Sequence, residues 1–141
     1  MIVKAMKNTV RSPLLALLVL LFGGIGVAVA NINEFSATEA QALIAAHQGD
    51  SGFVILDIRT PGEFAQGHIA GALSIDYYSP QFKSAIDGLD RGKTYLVYCR
   101  SGNRSQKALK IFDELGFTKI YHMKGGILDW QAKGYTIEPS T

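Results

Sequence analysis

Residues 31–141 are predicted to form one α/β domain with a mainly parallel sheet of about five short strands and helices on both faces. Three observations predict this class. Short apolar runs alternate with stretches of helical spacing. The apolar runs are continuous, which is typical of strands that are covered on both faces. No repeat, low-complexity stretch or linker interrupts the pattern after residue 31.

The first half of this domain is predicted to contain three helices and two strands. Residues 36–39 (SATE) fit a capping box and start a helix that runs to about residue 47. The apolar run 53–57 predicts a strand, and Pro61 suits the first turn of a short helix. A second strand is predicted at 72–75 and another helix at 80–86.

The second half repeats the alternation. The apolar run 95–98 predicts a strand that ends just before the cysteine. Residues 105–115 place apolar side chains at helical spacing, and Gly116 is suited to end that helix. A last strand is predicted at 119–122 and a last helix at 127–132.

Composition excludes several classes of protein. The chain has 141 residues with 14 Lys+Arg and 12 Asp+Glu, and its net charge is +2. Such a small charge argues against binding of nucleic acid or another polyanion. The hydrophobic fraction of 48% is too high for an intrinsically disordered chain. One cysteine cannot form an intramolecular disulfide, which excludes a disulfide-stapled scaffold.

Residues 1–30 are predicted to be a signal peptide. They contain three basic residues and no acid, which leaves 11 bases against 12 acids, a net charge of −1, in the domain. An apolar run at 14–22 follows the basic stretch, and Ala-Val-Ala at 28–30 fits a cleavage site. We therefore expect cleavage near Ala30 and export, for instance to a bacterial periplasm. The alternative is an uncleaved membrane anchor, and either arrangement translocates the domain.

The segment most informative about chemistry is 99–105 (CRSGNRS), between a predicted strand and a predicted helix. In open α/β sheets the functional site lies beyond the carboxyl ends of the strands. Backbone N–H groups of a tight loop at a helix N-terminus favour an anion, so we expect them to lower the pKa of Cys99. Arg100 and Arg104 add positive charge, and Gly102 permits the turn.

Other interpretations of Cys99 remain open at this point. A free cysteine at a strand end is often only a small buried apolar residue. A histidine base is possible, but no spacing links His47, His68 or His122 to the cysteine. One cysteine and three scattered histidines show no metal-ligand spacing. A thiolate in a ring of amides is suited to phosphoryl transfer or to sulfur transfer through a persulfide.

Three motifs in order resemble the signatures of rhodanese domains, and the resemblance extends from about residue 35 to residue 135. The motifs are 57–64 (DIRTPGEF) with 67–72 (GHIAGA), the cysteine loop 99–105, and 124–126 (KGG) with Trp130 and Gly134. The resemblance implies a rhodanese-like fold and a thiosulfate sulfurtransferase. No metal or organic cofactor is implied.

In the reaction that the resemblance implies, Cys99 attacks the sulfane sulfur of thiosulfate or a polysulfide, holds it as a persulfide, and passes it to cyanide or a thiol. The expected residues that bind the small anionic donor are Arg100, Ser101, Gly102, Asn103, Arg104 and Ser105. Asp57 and Arg59 are expected to support the site structurally. Glu63 is expected to pair with Arg59, because the two are four residues apart.

Two other functions remain as alternatives. Related phosphatases have a longer loop, Cys-x5-Arg, whereas Arg104 gives Cys-x4-Arg here. The shorter ring is better suited to one sulfur atom than to a tetrahedral phosphate, so a phosphatase is disfavoured. The second alternative is a persulfide carrier or interaction module that serves a partner enzyme. Membrane contact is expected only through the N-terminal segment, if that segment is not cleaved.

Overall fold

The computed structural model describes residues 31–140, and the predicted signal peptide lies outside them. Ten elements form the domain. The strands are β1 (Asn31–Phe35), β2 (Phe53–Asp57), β3 (Leu73–Ser74), β4 (Thr94–Tyr98) and β5 (Lys119–Met123). The helices are α1 (Ala37–Ala46), α2 (Pro61–Gln66), α3 (Phe82–Asp87), α4 (Asn103–Glu114) and α5 (Gly126–Ala132). Within residues 31–140, no helix has the length and apolar character needed to cross a membrane.

The five strands form one parallel sheet in the order β1-β5-β4-β2-β3. This confirms the predicted α/β class with its five short strands. The sequence did not indicate β1, however, because three of its five residues are polar, namely Asn31, Asn33 and Glu34. Within the part of the chain that the structure describes, β1 is an edge strand that pairs only with β5, so it does not need the continuous apolar run of a central strand.

Local sequence signals account for the starts of two helices. Ser36 accepts a hydrogen bond from the backbone of Glu39, whose side chain in turn accepts one from the Ser36 N–H. Thr60 and Glu63 form the same reciprocal arrangement at the start of α2, with Pro61 in its first turn. These capping boxes satisfy backbone donors that would otherwise have no partner inside the helix.

The core consists of two apolar clusters, one on each face of the sheet. Ile55 and Leu96 point to the cluster that contains Trp130 of α5, whereas Leu56 and Val97 point to the opposite one. Successive strand residues thus bury their side chains in different layers. This explains why the central strands are continuous apolar runs. Because all five strands run parallel, their carboxyl ends lie at one edge of the sheet.

Candidate active site

The cysteine loop lies at this edge, between β4 and α4. Cys99 directly follows β4, and Gly102 is the N-cap of α4 with a φ of 96°. A Cβ at Gly102 would lie 1.8 Å from the Lys124 carbonyl oxygen, so the position requires glycine on grounds of both conformation and space. The loop is therefore held tightly against the segment that follows β5.

The backbone of the third motif closes the loop from behind. The Ile127 N–H donates to the Cys99 carbonyl over 2.9 Å, and the Leu128 N–H donates to the Arg100 carbonyl over 3.1 Å. Gly126, with a φ of 62°, leaves no room for a Cβ against the Arg100 carbonyl. The motifs 99–105 and 124–126, distant in sequence, are thus one structural unit.

Three hydrogen bonds converge on the Cys99 sulfur. The Gly102 N–H lies 3.1 Å from Sγ, the Ser105 N–H 3.4 Å and the Ser105 hydroxyl 3.3 Å. Burial is the largest single influence on the pKa of Cys99 and raises it. The hydrogen bonds from Ser105, Gly102 and the Arg104 backbone together outweigh burial, so the pKa is lowered. The predicted direction of this pKa is confirmed, although Cys99 is only 1% exposed.

The guanidinium of Arg104 is bound to Glu63. Two nitrogens of Arg104 donate to the two carboxylate oxygens of Glu63, each over 2.8 Å. The hydrogen bond from Arg104 is the main cause that lowers the pKa of Glu63 to about 2. The ring of Tyr78 covers the guanidinium at 5.4 Å. The positive charge predicted to bind the donor is therefore largely balanced within the protein.

The expected pair between Arg59 and Glu63 is wrong. The Arg59 guanidinium donates to Asp57 over 2.7 Å and to the Gly67 carbonyl over 2.6 Å. Arg59 precedes the N-cap Thr60, so it lies outside α2, and the four-residue spacing of a helix does not apply to it. The Asp57–Arg59 pair is buried and fixes the segment before α2, an arrangement in keeping with structural support.

The other loop residues expected to bind the donor are either exposed or buried beside the Cys99 sulfur. Arg100, Ser101 and Asn103 are exposed, whereas Gly102 and Ser105 are buried. Arg100 also lines a pocket of about 270 Å³ between α2 and α5. The other walls of this pocket include Gln66, Ile127, Leu128 and Gln131. Arg100 is thus the loop arginine with an open approach for an anion.

His122 is a site residue that spacing alone did not identify. Its Nε2 lies 2.7 Å from the Ser105 hydroxyl, and its ring is 1% exposed. The signal in the sequence was a histidine in the last apolar strand, and the parallel register of β4 and β5 pairs Val97 with His122. The other two histidines do not contact the loop: His47 binds Asp50, and the His68 ring stacks on Phe64.

Fold and site together define a domain with a buried, amide-stabilised cysteine at the carboxyl edge of a parallel sheet. Residues 36–133 match the family model described as the Rhodanese-like domain, and the chain belongs to this family. The predicted rhodanese-like fold is thereby confirmed.

Several relatives with assigned activities are sulfurtransferases. A thiosulfate sulfurtransferase, GlpE, of Stutzerimonas stutzeri is 40% identical over 83 residues, which cover 58% of this chain and 73% of that protein. A thiosulfate:glutathione sulfurtransferase of Saccharomyces cerevisiae is 27% identical over 75% of this chain and 83% of that protein. The crystal structure of a rhodanese-related protein from Thermoplasma volcanium has a TM-score of 0.61 at 29% identity and covers 77% of this chain and 99% of that one. These similarities support sulfur transfer as the general activity.

Proposed function

We propose that the chain is a thiosulfate sulfurtransferase whose Cys99 carries the transferred sulfur as a persulfide. The observation that carries this proposal is the convergence of the Gly102 N–H, the Ser105 N–H and the Ser105 hydroxyl on the Cys99 sulfur. Donors placed in this way favour the thiolate over the thiol, and only the thiolate is an effective nucleophile.

The proposed reaction has two halves. In the first, the Cys99 thiolate attacks the sulfane sulfur of thiosulfate, a new S–S bond forms, and sulfite leaves with the electron pair of the broken bond. In the second, cyanide or a thiolate attacks the outer sulfur of the persulfide and restores the Cys99 thiolate. Covalent transfer of this kind predicts ping-pong kinetics. The acceptor with a thiol is favoured by the similarity to a thiosulfate:glutathione sulfurtransferase.

Arg100 is proposed to attract the anionic donor, and this refines the expectation from sequence. Arg104 is engaged by Glu63, whereas the exposed Arg100 lines the pocket beside the loop. Replacing Arg100 by Ala should raise the KM for thiosulfate more than the kcat falls. Replacing Arg104 should act mainly through the loop, since its guanidinium has a partner inside the protein.

The assay that tests the function is thiosulfate:cyanide sulfur transfer by the wild type and by Cys99→Ser. The variant should retain the fold and lose transfer, because a serine hydroxyl forms no persulfide. Hydrolysis of an aryl phosphate is measured in parallel. Transfer by Cys99→Ser at the wild-type rate would overturn the proposal, and phosphate hydrolysis without sulfur transfer would favour a phosphatase. Sulfur loading without turnover on cyanide or thiols would favour the persulfide carrier.

We also propose that the domain is exported, on the basis of the basic, apolar and small-residue regions within residues 1–30. Amino-terminal sequencing of the protein from the producing cell tests this proposal. A mature chain that starts at Asn31 supports export with cleavage, and a retained Met1 on protein outside the cytoplasmic fraction supports the uncleaved anchor. A retained Met1 on protein found only in the cytoplasmic fraction contradicts export.

A further inference from the structure

A chain of polar groups leads from the catalytic sulfur to the edge of the sheet. The Ser105 hydroxyl lies 3.3 Å from the Cys99 Sγ and 2.7 Å from the His122 Nε2. On the other side of the ring, His122 Nδ1 lies 3.9 Å from the Glu34 Oε1. The inner three residues are buried, whereas the Glu34 side chain is 51% exposed. The chain therefore connects a buried sulfur with a carboxylate that faces solvent.

The sheet itself produces this alignment. In the parallel register of β1 and β5, Glu34 is the partner of His122, so their side chains point to the same face. Ser105 lies in the first turn of α4, which begins directly after the cysteine loop. Strands β1 and β5, helix α4 and the loop after β4 thus each contribute one group, and β1, β5 and β4 are neighbours in that order in the sheet.

The hydroxyl of Ser105 has one proton and three acceptors within reach. These acceptors are the Cys99 sulfur, the His122 Nε2 and, at 3.1 Å, the Gly102 carbonyl. When Cys99 is a thiol, its S–H can donate to Ser105 while the hydroxyl donates to a neutral His122. When each proton moves one step, the S–H bond breaks and an Nε2–H bond forms. The products are a thiolate and an imidazolium, with the Ser105 hydroxyl now donating to the thiolate.

The second ring nitrogen explains how the imidazolium is accommodated. Nδ1 of His122 is buried and has no hydrogen-bond partner among the described residues, which is costly for a polar atom. Nδ1 carries a proton both in the neutral ring that accepts at Nε2 and in the imidazolium, and it faces the Glu34 carboxylate, which stabilises the positive charge of the imidazolium. A movement of about 1 Å of the half-exposed Glu34 side chain brings the two to hydrogen-bond distance.

Burial and nearby groups act in opposite directions on the pKa of His122. Burial is the main influence on the pKa of His122 and lowers it, so the ring is neutral while Cys99 holds its proton. Two groups raise the pKa of His122 against the effect of burial, namely Glu34 from β1 and the Gly102 backbone in the loop. The Ser105 hydroxyl from α4 faces Nε2. A new negative charge on Cys99 adds to this opposing effect.

We propose that His122 is a positioning residue for the nucleophile: it takes up the proton of Cys99 through Ser105, and Glu34 stabilises the resulting imidazolium. This proposal rests on the proposed function, because it explains how Cys99 of the same site loses its proton. It is tested without sulfur transfer, so its failure and that of the proposed function are distinguishable.

The test is the rate of alkylation of the full chain by iodoacetamide between about pH 5 and pH 9, a range that contains the ordinary pKa values of histidine and of a thiol. Cys99 is the single cysteine of the sequence, so the rate reports its thiolate alone. His122→Gln keeps an amide N–H that can donate to Ser105 but cannot take up a proton. We expect alkylation at pH 6 to fall about tenfold in this variant. Glu34→Gln should change it in the same direction by a smaller factor, and the control His47→Gln should match the wild type.

A merely structural role of His122 predicts a different result, because glutamine would still hold the Ser105 hydroxyl. If the alkylation rates of wild type and His122→Gln have the same dependence on pH, the inference is overturned. If His122→Gln does not fold, as judged by circular dichroism, the histidine titration is followed by NMR in the wild type and in Cys99→Ser. We expect His122 to titrate at lower pH when the thiolate is absent. Equal titration in both proteins would contradict the proton transfer.

Discussion

Removal of the charge on Glu63 should destabilise the domain and loosen the cysteine loop from its support. Glu63→Gln is the sharpest perturbation because glutamine can retain the capping interaction with Thr60, which leaves the ion pair as the main loss. In the variant the Arg104 guanidinium, whose side chain is 14% exposed, loses the carboxylate with which it pairs. The change therefore isolates the link between α2 and the first turn of α4.

The magnitude follows from the pKa of Glu63. A decrease from 4.5 to about 2 corresponds to an upper limit of roughly 3 kcal/mol. Since the Glu63 side chain is 28% exposed, solvent screening reduces this value, and we expect a loss of about 2 kcal/mol in the free energy of unfolding. A folded-state pKa below the unfolded one stabilises the protein above pH 4.5. That stabilisation is lost as the pH falls toward 2.

Urea unfolding of the full chain at several pH values measures this effect. The difference between wild type and Glu63→Gln should be constant near neutral pH and should fall to about half or less by pH 3. Glu114→Gln is the matched control, because Glu114 is 44% exposed and pairs with Lys83 and Lys110 on the surface. It should cost less than about 0.5 kcal/mol. Equal stability of Glu63→Gln and wild type, or a difference independent of pH, would show that the charge of Glu63 does not stabilise the domain.

Two further substitutions test the supports of the site. Gly102→Ala places a Cβ 1.8 Å from the Lys124 carbonyl oxygen and should abolish most sulfur transfer. The control is Gly62→Ala, whose Cβ meets nothing within 4 Å. Its steady-state rate of sulfur transfer should be near that of the wild type. Asp57→Asn removes the counter-charge of the buried Arg59 and should cost about 3 to 5 kcal/mol in urea unfolding; a cost below about 1 kcal/mol would show that the pair does not support the fold.

Much of the fold was predictable from local signals. The capping box at Ser36 and the first-turn Pro61 predicted the starts of two helices, and continuous apolar runs identified the interior strands β2 and β4. Edge strand β1 carries neither signal, since its residues are mostly polar and its stability comes from pairing with β5. Such pairing is a property of the tertiary structure, and the five residues of β1 carry no sequence pattern that predicts it.

The candidate site divides in the same way. The position of Cys99 after a strand and the lowered pKa of its thiol follow from the local loop, so the sequence sufficed to predict them. The contacts of Arg104 with Glu63 and of His122 with Ser105 join different elements. Spacing rules describe neighbours within one helix or strand, so they assigned Glu63 to the wrong arginine and left His122 unconnected.

The most direct test of a persulfide at Cys99 is the intact mass of the full chain after incubation with thiosulfate. We expect a gain of one sulfur atom, located at Cys99 by fragmentation and absent in Cys99→Ser. Addition of cyanide should remove this sulfur and release thiocyanate. A wild-type protein that folds, contains a reactive Cys99 and still gains no sulfur from thiosulfate would contradict the proposed persulfide mechanism with this donor.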